Sequence, residues 1–88
     1  MYKVHYSKKA IKDLKLLCQK KALISKARDL IEIIKINPFQ NPPDYEKLGG
    51  NLSECCSRRI NLQHRLVYSV DKKNKTIEIL CAWSHYDF

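Results

Sequence analysis

Between Ser57 and Val70 the chain reads Ser-Arg-Arg-Ile-Asn-Leu-Gln-His-Arg-Leu-Val-Tyr-Ser-Val, and this run limits the fold more than any other. Two apolar, β-branched segments, each with arginine at or near its start, flank Asn61 to His64, where a tight connection fits. The pattern predicts a β-hairpin in the middle of a sheet. Beyond Arg65 the side chains alternate, with Leu66, Tyr68 and Val70 facing one way and Arg65, Val67 and Ser69 the other. With the first set in the core, Arg65 stands on the opposite face, held rigidly by its strand. A structural strand has little use for Arg58, Arg59, His64 and Arg65 in so short a span. A phosphate-gripping site does, because guanidinium makes planar, paired hydrogen bonds to anionic oxygens.

The flanking segments extend this hairpin into an α+β domain. Tyr2 to Tyr6 alternates as a short first strand, and Ser7 reads as an N-cap. Ala10, Ile11, Leu14, Leu17 and Cys18 then recur at helical spacing to about Gln19. Lys8, Lys9, Lys12 and Lys15 fall largely on the other side. After a break at Lys20-Lys21, a second helix turns Leu23, Ala27, Leu30, Ile31 and Ile34 inward. It ends near Ile36 or Asn37, because Pro38 disfavours helical dihedrals in the residue before it. Residues 38 to 51 hold all three prolines and both glycines of the chain. They predict one loop, too long for a passive connector in so small a domain. Tyr45 and Leu48 are expected to anchor it, with Glu46 held between them. After the hairpin come a polar turn, Asp71 to Lys75, and a last strand from about Thr76 to Trp83. There Ile77, Ile79, Cys81 and Trp83 alternate with Glu78, Leu80 and Ala82, which suggests a well-covered strand. The order β-α-α-loop-β-β-β implies one domain: a mainly antiparallel sheet of about four strands with a helical hairpin on one face.

Charge and cysteine usage narrow the function. The 88 residues leave room for one modest core, and 17 Lys and Arg against 9 acids give a net charge of +8. Polyanions are the expected partners. No apolar run approaches the roughly 18–20 residues of a membrane span, and no secretory segment follows Met1. The expectation is a cytoplasmic protein without a membrane partner. Cys18, Cys55, Cys56 and Cys81 contain no C-x-x-C pair, which argues against zinc. Buried, reduced thiols are the favoured reading, and a disulfide framework is the alternative.

Five residues suggest a reaction. Glu46 ends the loop that feeds the hairpin, Arg59 and Arg65 lie on neighbouring strands, and His85 and Tyr86 follow the last strand. A carboxylate, two guanidiniums, an imidazole and a phenol suit RNA cleavage by the RNA's own 2′-hydroxyl. A base removes the 2′ proton, the oxygen attacks phosphorus, and an acid protonates the departing 5′ oxygen. Fixed cations stabilise the phosphorane more than the ground state. Carboxylates are not clustered and there is no H-E-x-x-H, so no metal and no cofactor is expected. Singly, each residue has a bland reading. Glu46 can be a solvated loop carboxylate, His85 an exposed terminal histidine, and the arginines a sheet border. His64, at the turn, reads as structural. Only their joint presence on a basic domain points to an enzyme.

These residues fall in motifs that resemble a known family. Asn37-Pro38-Phe39, Tyr45-Glu46-Lys47-Leu48, Leu52-Ser53, Ser57-Arg58-Arg59-Ile60, His64-Arg65-Leu66-Val67-Tyr68 and His85-Tyr86 look like the YoeB/Txe toxins of the RelE superfamily. The resemblance implies a RelE-like fold and a ribosome-dependent mRNA endoribonuclease neutralised by an antitoxin encoded in an adjacent gene. It implies Glu46 as general base, His85 as general acid, Arg65 as transition-state clamp and Tyr86 as a positioning group. Arg59, with Arg58 and Lys47, is expected to bind phosphate and RNA. Expected partners are the antitoxin, ribosomal RNA and mRNA, with a homodimer open. A gyrase-binding toxin of the same fold and a noncatalytic binding module are the competing readings. The chain departs from the pattern at Gly49, where many relatives have lysine, at Cys56, where many have tryptophan, and by Asp87-Phe88 after His-Tyr.

Overall fold

A computed structural model describes residues 1–49 and 55–83. Strand β1 (Lys3–Tyr6) runs into Ser7, whose backbone is extended (φ −69°, ψ 165°) and whose Oγ accepts from Ala10 N–H at 3.0 Å. Helix α1 (Lys8–Leu17) starts on that cap, which satisfies one of the four amide donors a helix leaves orphaned. The same hydroxyl donates to Leu80 O at 2.9 Å, so the cap also ties the helix to the sheet. Helix α2 (Lys21–Ile36) comes next and stops before Pro38, as the proline requires.

The remaining strands are β2 (Glu46–Lys47), β3 (Cys55–Arg59), β4 (Arg65–Asp71) and β5 (Thr76–Cys81). They form one sheet in the order β1-β5-β4-β3-β2. Among the described residues only the β1–β5 pairing is parallel; the others are antiparallel. Among the described residues the sheet therefore has five strands, where the sequence pattern predicts about four. The addition is β2, which pairs Glu46 with Ser57 and Lys47 with Cys56 and is prolonged by Leu48 N–H donating to Cys55 O at 3.0 Å. Two residues are too few to display alternation, so a strand this short reads as loop.

The helices cover one face. Ala10, Leu17, Ala27, Leu30, Ile31 and Ile34 pack on Leu66, Tyr68, Val70, Ile77 and Ile79. The inward side of α1 differs from expectation: Ile11 and Cys18 are exposed, and Asp13 is 4% exposed. Asp13 Oδ2 accepts from Ala82 N–H at 3.0 Å and lies 3.1 Å from Lys9 Nζ. Those partners offset the cost of burying a carboxylate, and a count of apolar residues misses it. The four cysteines form no disulfide; Cys55, Cys56 and Cys81 are buried. Burial pushes the Cys56 thiol up from its ordinary range and the Cys81 thiol up to about 11.

Strand β5 also breaks its expected alternation. Tyr68 pairs with Ile79 but Val67 with Cys81, which leaves Leu80 as an extra residue. Such a bulge reverses the facing of the residues beyond it. Ile77, Ile79 and then Ala82 join the helix-side core, while Cys81 lies across from Val67 on the other face. No helix among the described residues is long and apolar enough to cross a membrane.

Candidate active site

The site grows from the β3–β4 hairpin. Asn61 Oδ1 accepts from Gln63 N–H at 2.8 Å and from His64 N–H at 2.6 Å, while Ile60 N–H donates to His64 O at 2.9 Å. This side-chain-to-backbone turn is a common use of asparagine, and it sets the register of the strands it joins. Arg59 and Arg65 form the pair nearest the turn, followed by Arg58 with Leu66 and Ser57 with Val67. Leu66 belongs to the helix-side core. Alternation therefore sends Arg59 and Arg65 to the face away from the helices.

Strand β2 delivers Glu46 to the same face, across from Ser57. Tyr45 packs on the core and the Leu48 amide is bonded to β3, so Glu46 is held between two fixed points. Glu46 Oε2 lies 3.7 Å from Arg65 Nη1, with side-chain exposures of 68% and 22% respectively. An ion pair this long and this open adds little stability. Its interest is geometric: Glu46, Ser57, Arg59 and Arg65 line one pocket of about 330 Å³. His85 and Tyr86 lie outside the described residues.

Two residues expected to bind RNA are elsewhere. Arg58 is 1% exposed and faces the helix side. Its Nε donates to Tyr68 Oη at 3.0 Å, Nη1 to Pro43 O at 2.6 Å, and Nη2 to Gln40 O at 2.9 Å and Pro38 O at 3.2 Å. Four of the five donors a guanidinium carries are thus committed to the protein, and the side chain holds the loop rather than a phosphate. Tyr68 Oη in turn donates to Pro38 O at 2.7 Å, and burial raises that phenol to about 12. Lys47, adjacent to Glu46 on a strand, faces the opposite way. It lines a separate pocket of about 370 Å³ with Phe39, Cys56, Lys72 and Lys73.

The departures from the family pattern can be placed as well. Cys56 belongs to the helix-side core, so an aromatic missing there is not missing from the Glu46 pocket. A side chain at Gly49 would meet no atom within 4 Å. His64 is buried and stacks on Trp83 with ring centroids 4.2 Å apart, in keeping with a structural role. Ser57 lines the pocket although nothing in the sequence pattern marks it as a site residue except parity, since it shares its strand face with Arg59.

The chain resembles characterised proteins along most of its length. A family model described as the YoeB-like toxin of bacterial type II toxin-antitoxin system matches residues 6–86. Toxin YoeB of Synechocystis sp. is 41% identical over 66 residues, which are 75% of this chain and 74% of that protein. The YoeB dimer from Staphylococcus aureus superposes with a TM-score of 0.83 at 36% identity, covering 97% of this chain and 98% of that one. The YoeB-YefM complex from the same organism gives 0.81 at 35% identity, over 98% and 99%.

Proposed function

The chain belongs to the YoeB-like toxins of bacterial type II toxin-antitoxin systems, and from that premise we infer that it is a metal-independent endoribonuclease that cuts mRNA on the ribosome and so inhibits translation. The observation that carries this reading is the Glu46–Arg65 pair, 3.7 Å apart, in a pocket that Arg59 also lines. A carboxylate base and two fixed cations are then within reach of one phosphate.

In the reaction Glu46 takes the proton of the substrate 2′-hydroxyl, and the 2′ oxygen attacks phosphorus. In the free protein Arg65 stands 3.7 Å from Glu46. An incoming phosphate competes for the guanidinium, which binds phosphate oxygens bidentately, and this frees the carboxylate to act as base. Arg59 and Arg65 then face the phosphorane, whose charge exceeds that of the ground state, so their attraction lowers the barrier. His85 protonates the departing 5′ oxygen, and Tyr86 helps to place it. Histidine suits the task because its ordinary pKa, about 6.5, lies near neutrality.

Charge and kinship name the partners. A net charge of +8 favours ribosomal RNA through counterion release, with affinity falling as salt rises. The S. aureus toxin is known in a YoeB-YefM toxin-antitoxin complex, and an antitoxin with an acidic segment would inhibit this chain by covering the basic cleft or displacing His85 and Tyr86. A homodimer like that of the S. aureus toxin is part of the same reading, as is a cytoplasmic site of action beside the ribosome.

Primer extension on mRNA after induction tests the reaction. Discrete, codon-linked cuts are expected, with a 2′,3′-cyclic phosphate on the upstream fragment and a free 5′-hydroxyl downstream. Replacing the 2′-hydroxyl at the cut site by hydrogen should stop cleavage and leave binding nearly intact. A 5′-phosphate downstream, or cutting at the deoxy position, overturns the mechanism; DNA damage in place of cuts points to gyrase. In the same assay His85→Gln should lower the rate about 10²–10⁴-fold, as expected for loss of a general acid.

A further inference from the structure

Among the described residues, one buried side-chain polar atom has no hydrogen-bond partner: Ser57 Oγ. Ser57 is 3% exposed, and its hydroxyl is out of reach of bulk water. A dry, unpaired hydroxyl is costly, and nearly all buried polar groups in folded proteins are paired. The fold gives no reason for the oxygen. Val67, directly across on β4, is apolar and equally buried, so alanine would suit position 57 as well.

The surroundings give a reason. Ser57 is the register partner of Glu46 and shares its strand face with Arg59. It lines the pocket that holds Glu46, Arg59 and Arg65. We propose that the Ser57 hydroxyl is a substrate-binding group that donates a hydrogen bond to a non-bridging oxygen of the phosphate gripped by Arg59 and Arg65. This deepens the ribonuclease reading and rests on it. The unpaired state of the free protein then has a cause, because the missing acceptor arrives with the ligand. A change of χ1 between staggered positions is the motion this hydrogen bond requires. Two guanidiniums supply charge, and a neutral donor from the pocket floor adds direction without adding more. In the phosphorane the non-bridging oxygens carry more negative charge, so this bond strengthens as the reaction proceeds.

The test compares Ser57→Ala and Ser57→Thr with the parent protein. Three quantities are measured: melting temperature, rate of cutting of ribosome-bound mRNA across pH, and the rise in melting temperature caused by inorganic phosphate. Ser57→Ala should melt at the parent temperature or above it, because an unpaired hydroxyl is gone. Its cleavage rate should fall about 10–100-fold, the usual range for losing a hydrogen bond to a charged group. Its response to phosphate should shrink, and Ser57→Thr, which keeps the hydroxyl, should recover part of both losses. The proposal is overturned if Ser57→Ala cuts as fast as the parent. It is overturned equally if that variant loses stability, since the hydroxyl then serves the fold. A shifted pH profile in place of a lowered one would make Ser57 an orienter of Glu46, not a phosphate contact. Failure of the ribonuclease reading looks different: the parent cuts no RNA, while the phosphate response and its loss in Ser57→Ala still report the contact.

Discussion

Arg58 and Arg59 are successive residues of one strand, and the two faces of the sheet give them opposite tasks. On the helix side Arg58 is enclosed and its donors are spent on Tyr68 and three main-chain carbonyls. On the other side Arg59 is exposed and lines the Glu46 pocket. The difference teaches where a guanidinium can go in so small a domain. Buried, it must be satisfied by the protein itself, and it becomes a bracket for the loop that carries Glu46. At the pocket its donors stay available to an anion. A basic motif therefore divides between scaffold and site, and side-chain type alone does not tell which residue does which.

The largest expected effect breaks the scaffold half. Arg58→Met leaves the carbonyls of Gln40 and Pro43 without their partner and frees the 37–45 segment. The cost should be on the order of 3–5 kcal/mol, from about 1–3 kcal/mol for each group left unsatisfied. Urea unfolding measures it, and a cost below about 1 kcal/mol would mean that Arg58 does not hold the loop. On the site half, Arg65→Ala should lower cleavage about 10²–10³-fold, the range for removing a preorganised charge stabiliser. Its melting temperature should stay near that of the parent, because the pair it breaks is long and half in solvent. An equal loss of stability would erase the distinction between the faces.

The third prediction uses pH. Tyr68, fully buried beside Arg58, has its phenol raised to about 12 by burial, with Arg58 acting in the opposite direction. In the unfolded chain the phenol loses its proton near pH 10. Stability contributed by the neutral phenol is thus complete below about pH 10 and is lost as pH rises toward 12, by about 2–3 kcal/mol. Comparing unfolding of the parent and of Tyr68→Phe across that window isolates the effect from the titrating lysines. A parallel decline in both proteins would contradict it. The smallest effect on stability is expected from Arg59→Gln, within about 0.5 kcal/mol, as for a substitution on the exposed surface. That variant should still cut more slowly, and a fold as weakened as that of Arg58→Met would show that the two arginines share one role.

The sequence by itself determined what depends on neighbours a few residues apart. Ser7 capping the first helix, the stop before Pro38, the hairpin turn at Asn61 and the opposition of adjacent strand residues all rest on contacts within one turn or one pleat. Charge was legible too, because it is a sum and needs no geometry. Only the tertiary structure decided which face of β3 would be enclosed, and hence that Arg58 went to the core and Arg59 to the pocket. The partners that enclose Arg58 stand 15, 18 and 20 residues away in the loop, beyond the reach of any local pattern. The same holds for Asp13, whose burial depends on Ala82, 69 positions on, and for Glu46–Lys47, which becomes a strand only because β3 is there to pair with it. Alternation states that two neighbours differ, but what lies above each face is set by distant segments, and those meet only when the chain closes on itself.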